Sequence, residues 1–384
     1  MELLRKWDCN VPTLRFAEFT DEWGKYELSH FVTRITRRNK NNESSLPLTI
    51  SAQYGLVDQI SFFNKTVASV DLSGYYLLYN GDFAYNKSYS NDYAWGAVKR
   101  LDKYEKGCLS SLYFVFRPND NIDSDYLTHY FESSKWHKGI SNIAGEGARN
   151  HGLLNMAVDD YFATKHYLPS LPEQKKIARV FNAITRRIGI QNKIIEDLKV
   201  LKKELNYSLI GRIINGKSSN CKIEDVIDYE QPTNYIVKSD KYIENGETPV
   251  LTANKAFLLG YTIENEGVYN KSDCIILDDF TLDFKYVNFP FKIKSSAIKI
   301  LTAKKDIELR YFYEYLLFLG LTSHEHKRHY ISEIAPLPLY LPSIDEQRSA
   351  LSALNSISEK IKVEENYIIA LKAQKCFFLR TMFI

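Results

Sequence analysis

The sequence predicts a mixed α/β (α+β) chain built twice on one plan, with two strand-rich globular domains joined by two long antiparallel coiled-coil helices in pseudo-twofold symmetry. Three observations predict it. Leu168-Pro169-Ser170-Leu171-Pro172-Glu173-Gln174 returns as Leu341-Pro342-Ser343-Ile344-Asp345-Glu346-Gln347, five of seven positions identical at a shift of 173 residues. A heptad pattern follows each copy. The stretches before the copies are rich in Tyr, Phe, Val and Ile, broken by Gly, Asn and Asp. With 384 residues the chain fits two to three domains of ordinary size.

In chain order, residues 1–168 make an N-terminal segment and the first globular domain. Tyr75 to Tyr79 and Phe83 to Tyr85 read as strands around an Asn80-Gly81 turn, a hairpin signal. Residues 169–215 form the first spacer helix, opened by proline and an acid and expected to start near Glu173-Gln174 and run about 33 residues, or roughly 50 Å. Its four-three spacing takes in Ile177, Phe181, Ile184, Ile188, Gln191, Ile195, Leu198, Lys202, Leu205 and Leu209, the 3.5-residue period of a left-handed coiled coil.

Residues 216–341 make the second globular domain, with a strand and turn expected over Cys274-Ile275-Ile276-Leu277-Asp278-Asp279. The apolar spacing of Cys221 to Val226 echoes that of Tyr26 to Phe31, which suggests where each repeat begins. Residues 342–384 form the second helix. Adding 173 to the first seam gives Ala350, Leu354, Ile357, Ile361, Glu364, Ile368, Leu371, Lys375, Phe378 and Met382, with the polar exceptions at the same two places. Gln191 and Glu364 are the candidates for fixing register, as polar seam residues do at some cost in stability. Because the first helix leads away from one domain and the second returns from the other, chain order makes the pair antiparallel.

The net charge of +3 says little until the cations are mapped. Residues 175–217 hold eleven Lys or Arg against three acids, a stripe suited to a phosphate backbone or an acidic partner. Other polar residues gather in turn-rich segments: Arg34, Arg37, Arg38, Lys40, Lys87, Arg149 and Asn150 in the first domain; Thr252, Asn254, Lys255, Lys271, His326, Lys327 and Arg328 in the second. Arg and Lys can bond guanine edges, Asn adenine, and Thr the thymine methyl, so the pattern is chemically suited to duplex DNA.

Several motifs fail on context. Gly211 to Ser218 spells G-x-x-x-x-G-K-S, but a phosphate loop needs a strand before it and a helix after it, and this one ends a helix. Asn288-Phe289-Pro290-Phe291 differs from the N-P-P-F of adenine methyltransferases at its second position, and no glycine-rich cofactor loop accompanies it. His324, His326 and His329 could ligate a metal, yet Lys327 and Arg328 stand between them. The five cysteines, Cys9, Cys108, Cys221, Cys274 and Cys376, form no C-x-x-C pair, which argues against a zinc ribbon or disulfide framework and for a reducing cytoplasm. No apolar run is long enough to cross a membrane. No nucleophile with its base and no nuclease carboxylate pair emerges, so catalytic, cofactor-binding and metal residues are expected to be absent.

The whole chain resembles the specificity (S) subunit of type I restriction-modification systems. The resemblance rests on Val11-Pro12-Thr13-Leu14-Arg15-Phe16 with Glu22-Trp23, on the twice-occurring Leu-Pro-Ser boundary before a heptad helix, and on Gly147-Ala148-Arg149-Asn150. It implies two target-recognition domains reading the halves of a split DNA sequence, with the helices setting the gap. It further implies two methyltransferase (M) subunits carrying S-adenosylmethionine for adenine N6 methylation, and restriction (R) subunits adding ATP- and Mg2+-dependent translocation and cleavage. The alternatives are a specificity subunit of a type IIB-like enzyme, a coiled-coil protein-interaction scaffold, and, on the phosphate-loop letters, an ATPase.

Overall fold

The computed structural model describes residues 10–65, 67–69, 71–88, 93–145, 152–254, 256–323 and 327–384. It divides into two compact units, one of Met1–Gln191 with Tyr367–Ile384 and one of Asn192–Asn366. Each unit combines a strand-rich domain with one stretch of each long helix.

In the first unit β1 (Gly24–Glu27), α1 (Leu28–Phe31) and β2 (Val32–Arg34) are followed by β3 (Leu48–Ser51), β4 (Gly55–Asp58) and α2 (Gln59–Phe63). Then come β5 (Tyr76–Tyr79), β6 (Phe83–Asn86), β7 (Ala97–Arg100), β8 (Lys106–Leu109) and β9 (Phe114–Pro118). Three helices, α3 (Ser124–Glu132), α4 (His137–Ile143) and α5 (Val158–Phe162), precede β10 (Lys165–Leu168), and α6 (Leu171–Ile214) runs on into the second unit. There β11 (Cys221–Lys222), α7 (Ile223–Val226), β12 (Ile227–Glu230), β13 (Thr248–Leu251) and β14 (Leu258–Thr262) lead to β15 (Cys274–Asp278), β16 (Phe284–Val287), β17 (Lys292–Ile293) and β18 (Ile298–Ala303). They are followed by α8 (Leu309–Leu319), a π-helical turn (Tyr330–Ile334), β19 (Pro338–Leu339) and α9 (Ile344–Thr381).

The duplication extends to strand order. The main sheet of the first unit runs β2-β9-β6-β7 and that of the second β12-β18-β15-β16, antiparallel at every step. A two-stranded ribbon ties the start of each domain to its end: Gly24 lies opposite Leu168, and Cys221 opposite Leu339. The sequence echo falls on the short helices between ribbon and sheet, where Leu28 and Phe31 in one unit and Ile223 and Val226 in the other are buried. Side chains at i and i+3 of one helical turn share a face, so two apolar residues at that spacing pin the turn to the core.

The long helices exceed the expectation, with 44 and 38 residues. They also start two residues before the Glu-Gln pair, at Leu171 and Ile344, again 173 apart. In the first unit Phe181 stacks on Phe383 at 5.5 Å, Lys375 Nζ donates to Thr185 Oγ1 at 3.0 Å, and Arg187 lies 5.3 Å from the Tyr367 ring. In the second, Lys199 meets Glu365 at 2.7 Å, while Ile210 joins one core with Ala350 and Leu351. Residue numbers rise along one helix as they fall along the other, so within each unit the helices are antiparallel.

One expected hairpin is not formed. The strands flanking Asn80-Gly81 exist, but β5 pairs with β8 while β6 pairs with β7 and β9, in another sheet. Gly81, at φ +86°, carries the turn. Asp82 follows it, fully buried, accepts from the Tyr79 amide at 2.8 Å and ion-pairs with Arg37 and Arg117 at 2.9 and 2.6 Å. A buried carboxylate requires such partners, and Asp82 draws them from β9, from the segment after β2 and from the end of β5, at the turn where the chain passes between sheets.

Candidate nucleic-acid interface

The DNA-facing candidates of the first domain divide into committed and free-facing cations. Arg37 donates to Leu77 O and Asp82, and its guanidinium lies 4.3 Å from the Tyr79 ring. That fork holds the β5–β6 corner together and engages Arg37 within the domain. Arg38 donates to Gly74 O at 2.6 Å and stacks over Tyr76. Arg34 closes β2 rather than lying in a loop and is 3.9 Å from the exposed Asp159. Lys87 is half-buried over Phe114, and Lys40 is exposed. Arg149 and Asn150 lie outside the described residues.

In the second domain Thr252 is buried, its amide donating to Phe257 O, and so presents little surface to a base edge. Asn254 is exposed, with Oδ1 accepting from the Ala256 amide. Lys271 donates to both oxygens of Glu230 at 2.9 Å; with Tyr235 and Glu230 as partners its ammonium is held above the ordinary lysine range. Lys327 pairs with Glu333 at 2.8 Å, and Arg328 lies over Phe280. Lys255 and His326 lie outside the described residues.

On the helices, Gln191, Ile195, Ile361, Ile368 and Leu371 are buried, and Ile184, Ile188, Leu198, Leu205, Ile357, Glu364 and Phe378 half-buried. Glu364 ion-pairs with Lys360 one turn before it on the same helix. The lysines at equivalent seam places turn toward the globular domains. Lys202 meets the buried Glu314 of α8 at 2.8 Å, and Asn206 donates to the same carboxylate at 3.0 Å. Lys375 meets Glu132 of α3 at 3.0 Å. Burial alone would raise the Glu132 carboxyl, but the His129 hydrogen bond and the Lys375 charge bring it down to about 2.

The twice-occurring glutamine has a matching task in both units. Gln174 Oε1 accepts from the amide of Asp123, the N-cap of α3, and its amide group donates to Pro169 O. Gln347 Oε1 accepts from the amide of Glu308, the N-cap of α8, and donates to Pro342 O and Asp306 O. Each glutamine thus joins the start of a long helix to the start of its domain's helix, satisfying amides that have no partner within that helix. Sequence reasoning saw the repeat without this role. Glu314 had a signal of its own, as the one acid in the apolar run Leu309–Leu319.

The N-terminal motif is explained by Glu173, which is buried. Arg15 grips it through two bonds of 2.8 Å, and Trp23 Nε1 donates to it at 3.4 Å. Gly211 to Ile214 are the last residues of α6, and Gly216 with φ +71° ends it, an arrangement unlike a phosphate loop. Phe291 of the N-P-P-F-like segment is a core residue. His329 is buried, its ring nitrogens bonded to Ser323 and Glu333 at 2.7 Å. His324 lies outside the described residues; among those described, no cluster of metal-ligating side chains occurs. No helix among them is long and apolar enough to cross a membrane.

No protein-family model matches the chain. It is 40% identical over 139 residues to the type I restriction enzyme EcoR124I/EcoR124II specificity subunit of Escherichia coli; the match covers 35% of this chain and spans about a third, 34%, of that relative. It is 21% identical over 400 residues to the putative type I restriction enzyme MjaX specificity subunit of Methanocaldococcus jannaschii, covering 92% of this chain and 91% of the relative. Among solved structures, the type I restriction-modification S subunit from M. genitalium superposes with a TM-score of 0.58 at 15% identity, over 97% of this chain and 99% of that one. A chain from a study of complex assembly and conformational transition of the type I restriction-modification system gives 0.53 at 16%, over 93% and 96%. In sequence the chain is similar to type I specificity subunits, and it has the S-subunit fold.

Proposed function

We propose that this chain is a type I specificity subunit that reads a bipartite duplex DNA target and directs M and R subunits to it, with no catalytic centre of its own. The observation that carries the reading is the duplication: two domains of one strand order, each anchored to the paired helices by an equivalent glutamine and an equivalent lysine. A repeated reader on a repeated mount is suited to a split sequence. Residues 1–168 and 216–341 are the target-recognition regions, and 169–215 and 342–384 the spacer helices. Arg34, Arg38, Lys40, Lys87, Asn254, Lys271, Lys327 and Arg328 are the base- or phosphate-facing candidates among described residues, and Arg149, Asn150, Lys255 and His326 are further candidates outside them. S-adenosylmethionine, ATP and Mg2+ belong to the partners, and the complex works in the cytoplasm.

The seam leaves apolar residues exposed, among them Ile190, Val200 and Leu201 on α6 and Val363, Ile369 and Phe377 on α9. Within each unit these residues are candidates for contact with an M subunit, since exposed apolar side chains favour association. The test is co-expression with a cognate methyltransferase and genome-wide mapping of N6-methyladenine. A split motif with a fixed gap is expected, and methylation unchanged on deleting this chain would refute the reading.

A further inference from the structure

The first unit contains a cleft of about 560 Å³ between α4, α5 and the β1–β10 ribbon, and four lysines line it: Lys25, Lys135, Lys138 and Lys165. One acidic side chain, Asp160, lines it with them. Other cations of this domain are engaged: Arg37 and Arg117 by Asp82, Arg100 by Asp102 and Asp125. By contrast Lys135, Lys138 and Lys165 make no ion pair among the described residues, and Lys25 is held only over the Tyr167 ring at 5.2 Å.

The cleft floor is polar but already satisfied. Thr164 Oγ1 donates to Tyr161 O at 2.7 Å, so it accepts from His166 Nε2 at 2.8 Å, which leaves His166 Nδ1 to accept from the Tyr130 hydroxyl at 2.8 Å. This fixes the neutral Nε2–H tautomer. The floor therefore adds no charge and offers no carboxylate to the lysines above it. Four lysines spread around one concave wall with a single acid, Asp160, among them repel one another, and an anion of several charges relieves that repulsion.

We infer that this lysine-walled cleft is a phosphate-binding site and that its occupant is the backbone of duplex DNA. The inference rests on the DNA-reading function proposed above, but its chemistry could equally be met by free phosphate or pyrophosphate, and the experiment separates the two. The full chain carrying Lys135→Ala, Lys138→Ala and Lys165→Ala together is compared with the unaltered chain by fluorescence anisotropy on a duplex of unrelated sequence, from 50 to 200 mM KCl. Unchanged tryptophan fluorescence establishes that the first unit is folded.

Three lost phosphate contacts lower the slope of log affinity against log salt by roughly 2 to 3 and weaken binding about tenfold or more. Lys→Arg replacements at the three positions retain binding. If the unaltered chain binds DNA and the triple variant matches it in slope and affinity, the backbone assignment is overturned. Pyrophosphate titrated into both proteins then decides the rest: binding lost in the variant keeps the phosphate site with a small occupant, and equal or absent binding removes it. A chain that shows no salt-dependent DNA affinity at all refutes the proposed function instead.

Discussion

Lowering the pH should destabilise the first unit through His166, by an amount that can be worked out. The ring is buried in the hydrogen-bonded chain from Tyr130 to Thr164, and burial lowers its pKa from 6.5 to about 4. Protonation would also place a second N–H opposite the Tyr130 hydroxyl. The folded pKa lies below the unfolded one, so the unfolded state takes up the proton first. The contribution is intact above pH 6.5, is lost as pH falls, and levels off below pH 4. At about 1.4 kcal/mol per pKa unit, the loss at pH 5 is about 2 kcal/mol and the full loss about 3 kcal/mol. Trp23, Trp95 and Trp136 lie in the first unit and the sequence has no tryptophan after Trp136, so intrinsic fluorescence reports the unfolding of that unit. Urea titrations at pH 7.5 and 5.0 should show His166→Gln losing about 2 kcal/mol less than the unaltered chain. Equal losses in the two proteins, or an NMR midpoint for the His166 ring near 6.5, would refute the reasoning.

Lys202→Met strands the buried Glu314 carboxylate and should cost about 3 kcal/mol, while the double change Lys202→Met with Glu314→Leu recovers most of it; thermal unfolding followed by circular dichroism checks both. Gln347→Glu keeps the acceptor for the Glu308 amide but cannot donate to Pro342 O and Asp306 O, so it should lower stability by about 2 kcal/mol, with Gln174→Glu behaving alike toward Pro169 O. Arg15→Ala leaves Glu173 with Trp23 alone and should destabilise the first unit by about 3 kcal/mol on tryptophan fluorescence; Glu173→Gln on that background should restore part of it. Inserting one heptad into α6 should lengthen the unread gap of the methylated motif or abolish assembly while leaving both half-motifs unaltered, as mapping of methylated adenine would show.

The helices were legible because their signal is local: a 3.5-residue period sustained over ten positions is visible without knowing what lies opposite. The sheets were not, because their pairings join distant segments. The center of the first sheet pairs Phe83 with Phe116, and no local pattern announces that partner. Where a local rule was applied, at Asn80-Gly81, a tertiary demand prevailed: the two arginines that neutralise Asp82 turn the chain between sheets. Thr252 shows the same limit, since a threonine beside Asn254 and Lys255 reads as a polar loop until the Phe257 carbonyl is seen to close the turn over it.

The polar breaks in the heptads carry the most consequential difference between sequence and structure. From spacing alone, lysines at equivalent seam positions look like devices for matching one helix to the other. In the folded chain Lys202 and Lys375 reach out of the seam to carboxylates on α8 and α3, with Lys375 also touching Thr185. An apolar residue there would pack the helices as well, but would leave the buried Glu314 without its cation and the partly exposed Glu132 with His129 alone. A buried ion pair contributes little net stability against an apolar replacement and discriminates strongly against misplacement, because shifting either partner leaves a charge unpaired. The equivalent lysines therefore fix where each domain sits on its helices more than how tightly it is held, which is the property a molecule needs if it reads two half-sites at a set spacing.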